Sequence, residues 1–69
     1  IAKSTLDYIK ESVRNKNISG NYNDTETIND YEIRKIVEED EYYYKCYKIV
    51  IEVKKKEQIR RLESYVLQQ

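Results

Sequence analysis

Sixty-nine residues with 13 basic and 13 acidic side chains carry no net charge. That balance excludes a protein that holds nucleic acid by bulk charge alone. A chain this short buries only roughly 60% of the surface its unfolded form exposes, so one marginal domain spanning residues 1–69, with a partner or a parent chain, is expected. It begins at Ile1 and contains no methionine, which reads as a fragment, a processed form or a part of a longer protein.

The charge is unevenly spread: residues 1–16 carry +2, residues 17–41 carry −6 and residues 42–69 carry +4. The single cysteine, Cys46, cannot form an internal disulfide, and small secreted domains usually need such staples, so a cytoplasmic protein is expected. Two N-glycosylation triplets, Asn17-Ile18-Ser19 and Asn23-Asp24-Thr25, oppose that reading, but an asparagine-rich loop produces such triplets by chance. No apolar run approaches the roughly 20 residues of a membrane span, and no signal-peptide pattern is present. Abundant Ile, Lys, Asn and Tyr, with Gly, Ala and Pro nearly missing, look like coding from an AT-rich genome.

Leu6, Ile9 and Val13, extended by Ala2, share one helical face, and Ser4 with Asp7 resembles a capping box; the spacing predicts a helix over 4–15. From Asn17 to Asn29 the chain is polar and holds the only glycine, Gly20, so it reads as a long connection in which Thr25–Ile28 could form a short edge strand. Tyr31–Glu39 fits either a helix, through Ile33, Ile36 and Val37, or a strand, through Tyr31, Ile33 and Val37. Charged residues favour the helix by propensity. The strand-like run Tyr42–Val53 nevertheless needs a hydrogen-bonding neighbour, and this segment is the nearest one.

A hairpin there would turn through Glu39-Asp40-Glu41, which lacks the residues of a two-residue type I′ loop, so a loop of three or five residues is expected. An odd length also keeps Tyr31, Ile33 and Val37 on the face of Tyr43, Tyr47, Ile49, Ile51 and Val53. Ile59, Leu62 and Val66, with Tyr65 beside them, predict a second helix over 55–67. The expected fold is therefore α+β: helix, a two- or three-stranded antiparallel sheet, helix, with both helices on one sheet face. The stretch Lys48–Glu52 leading through Lys54–Lys56 into Gln58–Leu62 resembles the strand-to-helix unit of the dimerising C-terminal domain of chromosome-partition proteins. The element order is also similar to double-stranded-RNA-binding domains, whose glycine-bearing strand connections are missing here. Neither likeness contains a diagnostic residue, and neither identifies the chain.

The opposite sheet face would then show Ile36, Tyr42, Tyr44, Cys46, Lys48 and Val50, a tyrosine-bearing patch suited to a homodimer or to another protein partner. The competing interpretation is that tyrosines simply suit a half-exposed strand. A second reading gives nucleic-acid binding to Lys45, Lys48, Lys54, Lys55, Lys56, Arg60 and Arg61, with phosphates at the N-terminus of the second helix. Glu38-Glu39-Asp40-Glu41 lacks the spacing of a calcium loop. With no histidine in the chain and one cysteine, no metal site, cofactor or catalytic residue is assigned, and the protein is not expected to be an enzyme. The function expected is a non-catalytic interaction or oligomerisation module that pairs through this tyrosine-bearing face or through an unpaired edge of the Tyr42–Val53 strand.

Overall fold

The computed structural model describes residues 2–18 and 20–68, without the side chain of Ala2. Helix α1 spans Ala2–Arg14. Its Leu6, Ile9 and Val13 stripe faces the interior as the spacing predicts, with Ile9 and Val13 fully buried. Ser4 lies inside the helix and so is not its cap. Buried Ser12 satisfies its hydroxyl by donating to the Tyr8 carbonyl at 3.0 Å. The helix ends in a six-to-one closure: Asn17 N donates to the Ser12 carbonyl and Lys16 N to that of Val13, with Lys16 at a left-handed φ of 63°.

Four antiparallel strands follow in a meander whose spatial order equals the sequence order: β1 Tyr22–Ile28, β2 Tyr31–Glu39, β3 Cys46–Lys55 and β4 Gln58–Leu67. Residues 31–39 are a strand, and the edge strand suspected at Thr25–Ile28 exists and begins at Tyr22. The triplet Asn23-Asp24-Thr25 thus lies in a strand and not in a loop, while Ser19 of the other triplet falls outside the described residues. The architecture is α+β, with one helix and a four-stranded antiparallel sheet.

The predicted second helix is corrected to β4. Its residues pair with the whole length of β3, from Cys46 opposite Leu67 to Lys55 opposite Gln58. Alternation then separates Ile59, which is 62% exposed, from Leu62 and Val66 on the helix-covered face. Lys54 and Lys55 therefore end a strand and Lys56 begins a turn, so they do not open a helix, which removes the helix-terminus argument for phosphate there and the strand-to-helix resemblance with it.

The face under α1 is built from Ile33, Val37, Tyr47, Ile49, Ile51, Val53 and Val66. Ile33, Val37, Ile49 and Ile51 are among its fully buried side chains, each worth about 1.5–3 kcal/mol by area removed from water. Register explains why Tyr31, Ile33 and Val37 share that face: Ile33 opposes Val53 and Val37 opposes Ile49. Asp40 N donates to the Cys46 carbonyl at 2.9 Å, leaving residues 41–45 as a five-residue loop of the odd length that this alternation requires. β3 consequently begins at Cys46 and not at Tyr42.

The β1–β2 and β3–β4 hairpins close through two residues each, with Asn29 at φ 55° and Lys56 at φ 55° in the first loop position. Asparagine tolerates that conformation, whereas a lysine there costs roughly 1–2 kcal/mol relative to the right-handed region. Lys56→Gly is expected to stabilise the fold by about 0.5–1 kcal/mol, a rise of several degrees in the thermal midpoint of a domain this small. Calorimetry showing an unchanged or lower midpoint would contradict the turn geometry.

Candidate functional site

Ile36, Cys46, Lys48 and Val50 do share the sheet face opposite α1, and among the described residues no element packs over it. This face is nonetheless not bare. Val50 is only 4% exposed, because it sits opposite Ile36 and Glu63 and between Lys48 and Glu52 on its own strand. Lys48 Nζ lies 3.9 Å from Glu63 Oε1, and Arg61 reaches Glu63 at 2.6 Å and Glu52 at 3.9 Å. Long charged side chains spread over apolar neighbours in this way while their heads stay wet. As exposed pairs, each contributes at most about 1 kcal/mol.

Tyr42 and Tyr44 do not lie on that face. They stand with Tyr43 in the β2–β3 loop, where Tyr42 and Tyr44 are each 88% exposed and Tyr43 69%. The loop is a built structure. Asp40 Oδ1 accepts from Tyr42 N at 2.7 Å and from Tyr43 N at 3.1 Å, and Cys46 N donates to the Tyr43 carbonyl at 3.2 Å. An aspartate that hydrogen-bonds the backbone two residues on is a recurrent turn former. Lys45, at φ 59°, places its ammonium 5.5 Å from the Tyr44 ring, and its carbonyl accepts from Gln68 N at 2.8 Å, which pins the loop to the end of β4. Exposed Tyr65 and Leu67 occupy that end. An open hollow of about 430 Å³ runs beneath the loop, lined by Asp40, the three tyrosines, Cys46 and Gln68 among others.

The seven basic residues are dispersed. Lys48, Lys54 and Arg61 belong to the uncovered face, with Lys48 and Arg61 engaged in ion pairs; Lys55 and Arg60 belong to the helix face. Lys56 occupies the β3–β4 turn and Lys45 the tyrosine loop at the other end of β3. What converges instead is Lys55 and Arg60 with Lys3 of α1, in an open concavity floored by Val53 and Leu62, where the Lys55 ammonium lies 4.9 Å from the Tyr31 ring. Lys3 and Tyr31 escape a reading of the sequence because their proximity depends on α1 crossing β3 and β4. Glu38, Glu39 and Asp40 are separated onto the two faces and the loop, and among the described residues no three His, Cys, Asp or Glu side chains are grouped to hold a metal. Among the described residues no helix is long and apolar enough to cross a membrane. Comparison with protein-family models, curated proteins and solved structures finds no match.

One cation breaks the apolar alternation of β2. Lys35 lies on the helix-side face between Ile33 and Val37, its side chain only 14% exposed, with Nζ 2.8 Å from Glu26 Oε2 and 3.4 Å from Asp24 Oδ2. Its hydrogen bond to Glu26 is the main cause of a pKa raised above the ordinary 10.5, Asp24 adding to it and burial opposing it. A raised pKa contributes stability that is fully present below 10.5 and is lost as pH climbs through the folded-state value. Thermal melts of wild type and Lys35→Met are therefore expected to differ by a constant amount from pH 7 to 9 and to converge above pH 10.5. A gap that persists at high pH would show that Lys35 acts through packing alone.

Proposed function

We propose that this chain is a non-catalytic protein-interaction module whose contact surface is the tyrosine loop. Tyr42, Tyr43 and Tyr44 form its centre, the Tyr65–Leu67 end of β4 flanks it, and Cys46, Lys48 and Ile36 continue it onto the uncovered face around the buried Val50. The observation that carries this reading is that three consecutive aromatic side chains are held out in solvent by a loop whose backbone is hydrogen-bonded at both ends. Tyrosine gives large contact area for little conformational entropy, and a fixed loop keeps the ordering cost of binding low. An unpaired edge of β3 does not contribute, since β2 and β4 flank it on both sides.

A photo-crosslinking side chain at position 43, in the protein expressed in its source cells, is expected to give a discrete protein adduct. The same group at Ser4, exposed on α1, is expected to give none. Tyr42→Ser with Tyr44→Ser should reduce the adduct at least tenfold without moving the thermal midpoint. Equal labelling at both positions, or indifference to the serines, would overturn the reading.

The convergence of Lys3, Lys55 and Arg60 around Tyr31 favours a second reading, in which the concavity takes a phosphate and stacks a base of single-stranded nucleic acid. Binding of a short single-stranded oligonucleotide should then weaken steeply between 50 and 200 mM salt and fall several-fold in Lys55→Gln with Arg60→Gln. Binding that ignores both changes excludes that site.

A further inference from the structure

The uneven charge of the sequence acquires a geometry once the strands are ordered. The acidic block, residues 17–41, folds into β1 and β2 and holds eight acidic against two basic residues; β3 and β4 lie in the basic block, residues 42–69, with seven basic against three acidic. Of the outer strands, β1 holds Asp24 and Glu26 and no basic residue while β4 holds Arg60 and Arg61 against Glu63, so a sheet ordered β1-β2-β3-β4 has one acidic and one basic outer edge. Helix α1 sharpens the basic edge. Lys3, Lys10 and Arg14, the last in an exposed pair with Glu11, recur on one side of it. The helix follows β4 from Lys3, which shares a concavity with Gln58, Arg60 and Leu62 as well as Tyr31, Val53 and Lys55, to Val13, whose carbonyl accepts from Gln68 Nε2, so this stripe runs along β4.

Both outer strands are without a partner strand among the described residues, and their free backbone groups are in matching phase. Gln68 N donates to the Lys45 carbonyl, so even-numbered residues of β4 address β3, and Ile59, Arg61, Glu63 and Tyr65 turn their N–H and C=O outward. At the other edge, Glu39 N donates to Asn21 Oδ1 on the β1 side while Asp40 N donates to Cys46 on the β3 side. Odd-numbered residues of β2 thus address β1, and Asn23, Thr25 and Thr27 of β1 turn outward. The outward residues of both edges carry their side chains on the uncovered face, and β1 and β4 run in opposite directions. A second copy placed beside the first, in the same orientation, would add its β1 antiparallel to β4 with every hydrogen-bonding position and both faces in step.

We infer that this chain associates head to tail with copies of itself, the β4 edge of one accepting the β1 edge of the next. On the helix side the junction sets Arg60 and the Lys3–Lys10–Arg14 stripe against Asp24 and Glu26 of the incoming copy. The two-fold alternative, β4 against β4, faces those same cations with themselves and is disfavoured by like-charge repulsion. Head-to-tail contact does not close on itself as a two-fold pair does, so the product is a ring or a chain of copies. This association does not use the loop tyrosines Tyr42–Tyr44 and shares only the Tyr65 end of β4 with the surface proposed above; Thr25→Pro and Arg60→Glu leave that loop unchanged, so the two fail separately.

Proline tests it, because at an outward position it removes one edge donor and leaves the internal ladder intact. Sedimentation of wild type at 50 mM salt is expected to show mass rising with concentration past a dimer, and association at least tenfold weaker at 500 mM salt. Thr25→Pro and Arg61→Pro should each be monomeric alone, with folding verified by circular dichroism, while an equimolar mixture forms a one-to-one pair through the two intact edges. The charge reversal Arg60→Glu, which keeps the backbone, should weaken wild-type association at least tenfold and cover the case in which a proline unfolds the chain. A wild type that stays monomeric at low salt overturns the inference. So do Thr25→Pro that still self-associates, a mixture that fails to pair when both prolines fold, and association indifferent to Arg60→Glu.

Discussion

β3 is the strand on which the others are assembled. Its backbone is satisfied by β2 along one edge and β4 along the other, and Tyr47, Ile49, Ile51 and Val53 fill the space beneath α1. Val50, pointing the other way, is buried although no element among the described residues lies above it. A strand apolar along one side and buried at Val50 on the other has to lie inside a sheet, because at an edge its N–H and C=O groups would remain beside a hydrophobic surface. In so small a domain that requirement leaves little choice: strands must be found on both flanks, and every residue from Tyr22 to Leu67 outside the connections is recruited to supply them.

The apolar skeleton was legible for the same reason. Leu6, Ile9 and Val13 at helical spacing, and Ile33 and Val37 in register with Ile49, Ile51 and Val53, identify the helix, the central hairpin and the core face. β4 was illegible because Ile59, Leu62 and Val66 also fit a helical stripe, and because Lys56-Glu57 conceals a tight turn that glycine or asparagine would have announced. β1 was half hidden for another reason. α1 lies over β3 and β4, so the inward positions of β1 have no helix to meet and carry Asp24 and Glu26, whose partner is a lysine. A strand whose interior is an ion pair shows no alternation of hydropathy.

The tyrosines illustrate a related ambiguity. Aromatic residues favour strands, and Tyr42-Tyr43-Tyr44 running into Cys46 and Tyr47 reads as continuous β-structure. Asp40 decides otherwise by capturing the amides of Tyr42 and Tyr43, which bends the backbone out of the ladder and turns the rings to solvent. The side chains expected on the broad face are thereby gathered at one end of the molecule. The basic residues suffer the opposite fate: neighbours in sequence, Lys54, Lys55 and Lys56 are sent to two faces and a turn, and Arg60 and Arg61 to opposite sides.

The meander itself bears on how the chain reaches this state. Each strand pairs with the one just synthesised, so three short closures assemble the sheet and little chain entropy is lost at any single step. Only α1 must travel, since it is made first and rests on the two strands made last. Zipping of hairpins is therefore local and quick, whereas seating of the helix waits for the C-terminal strand. During synthesis the amphipathic stripe of α1 remains without its apolar bed until β4 has emerged, a delay imposed by connectivity and not by any individual contact.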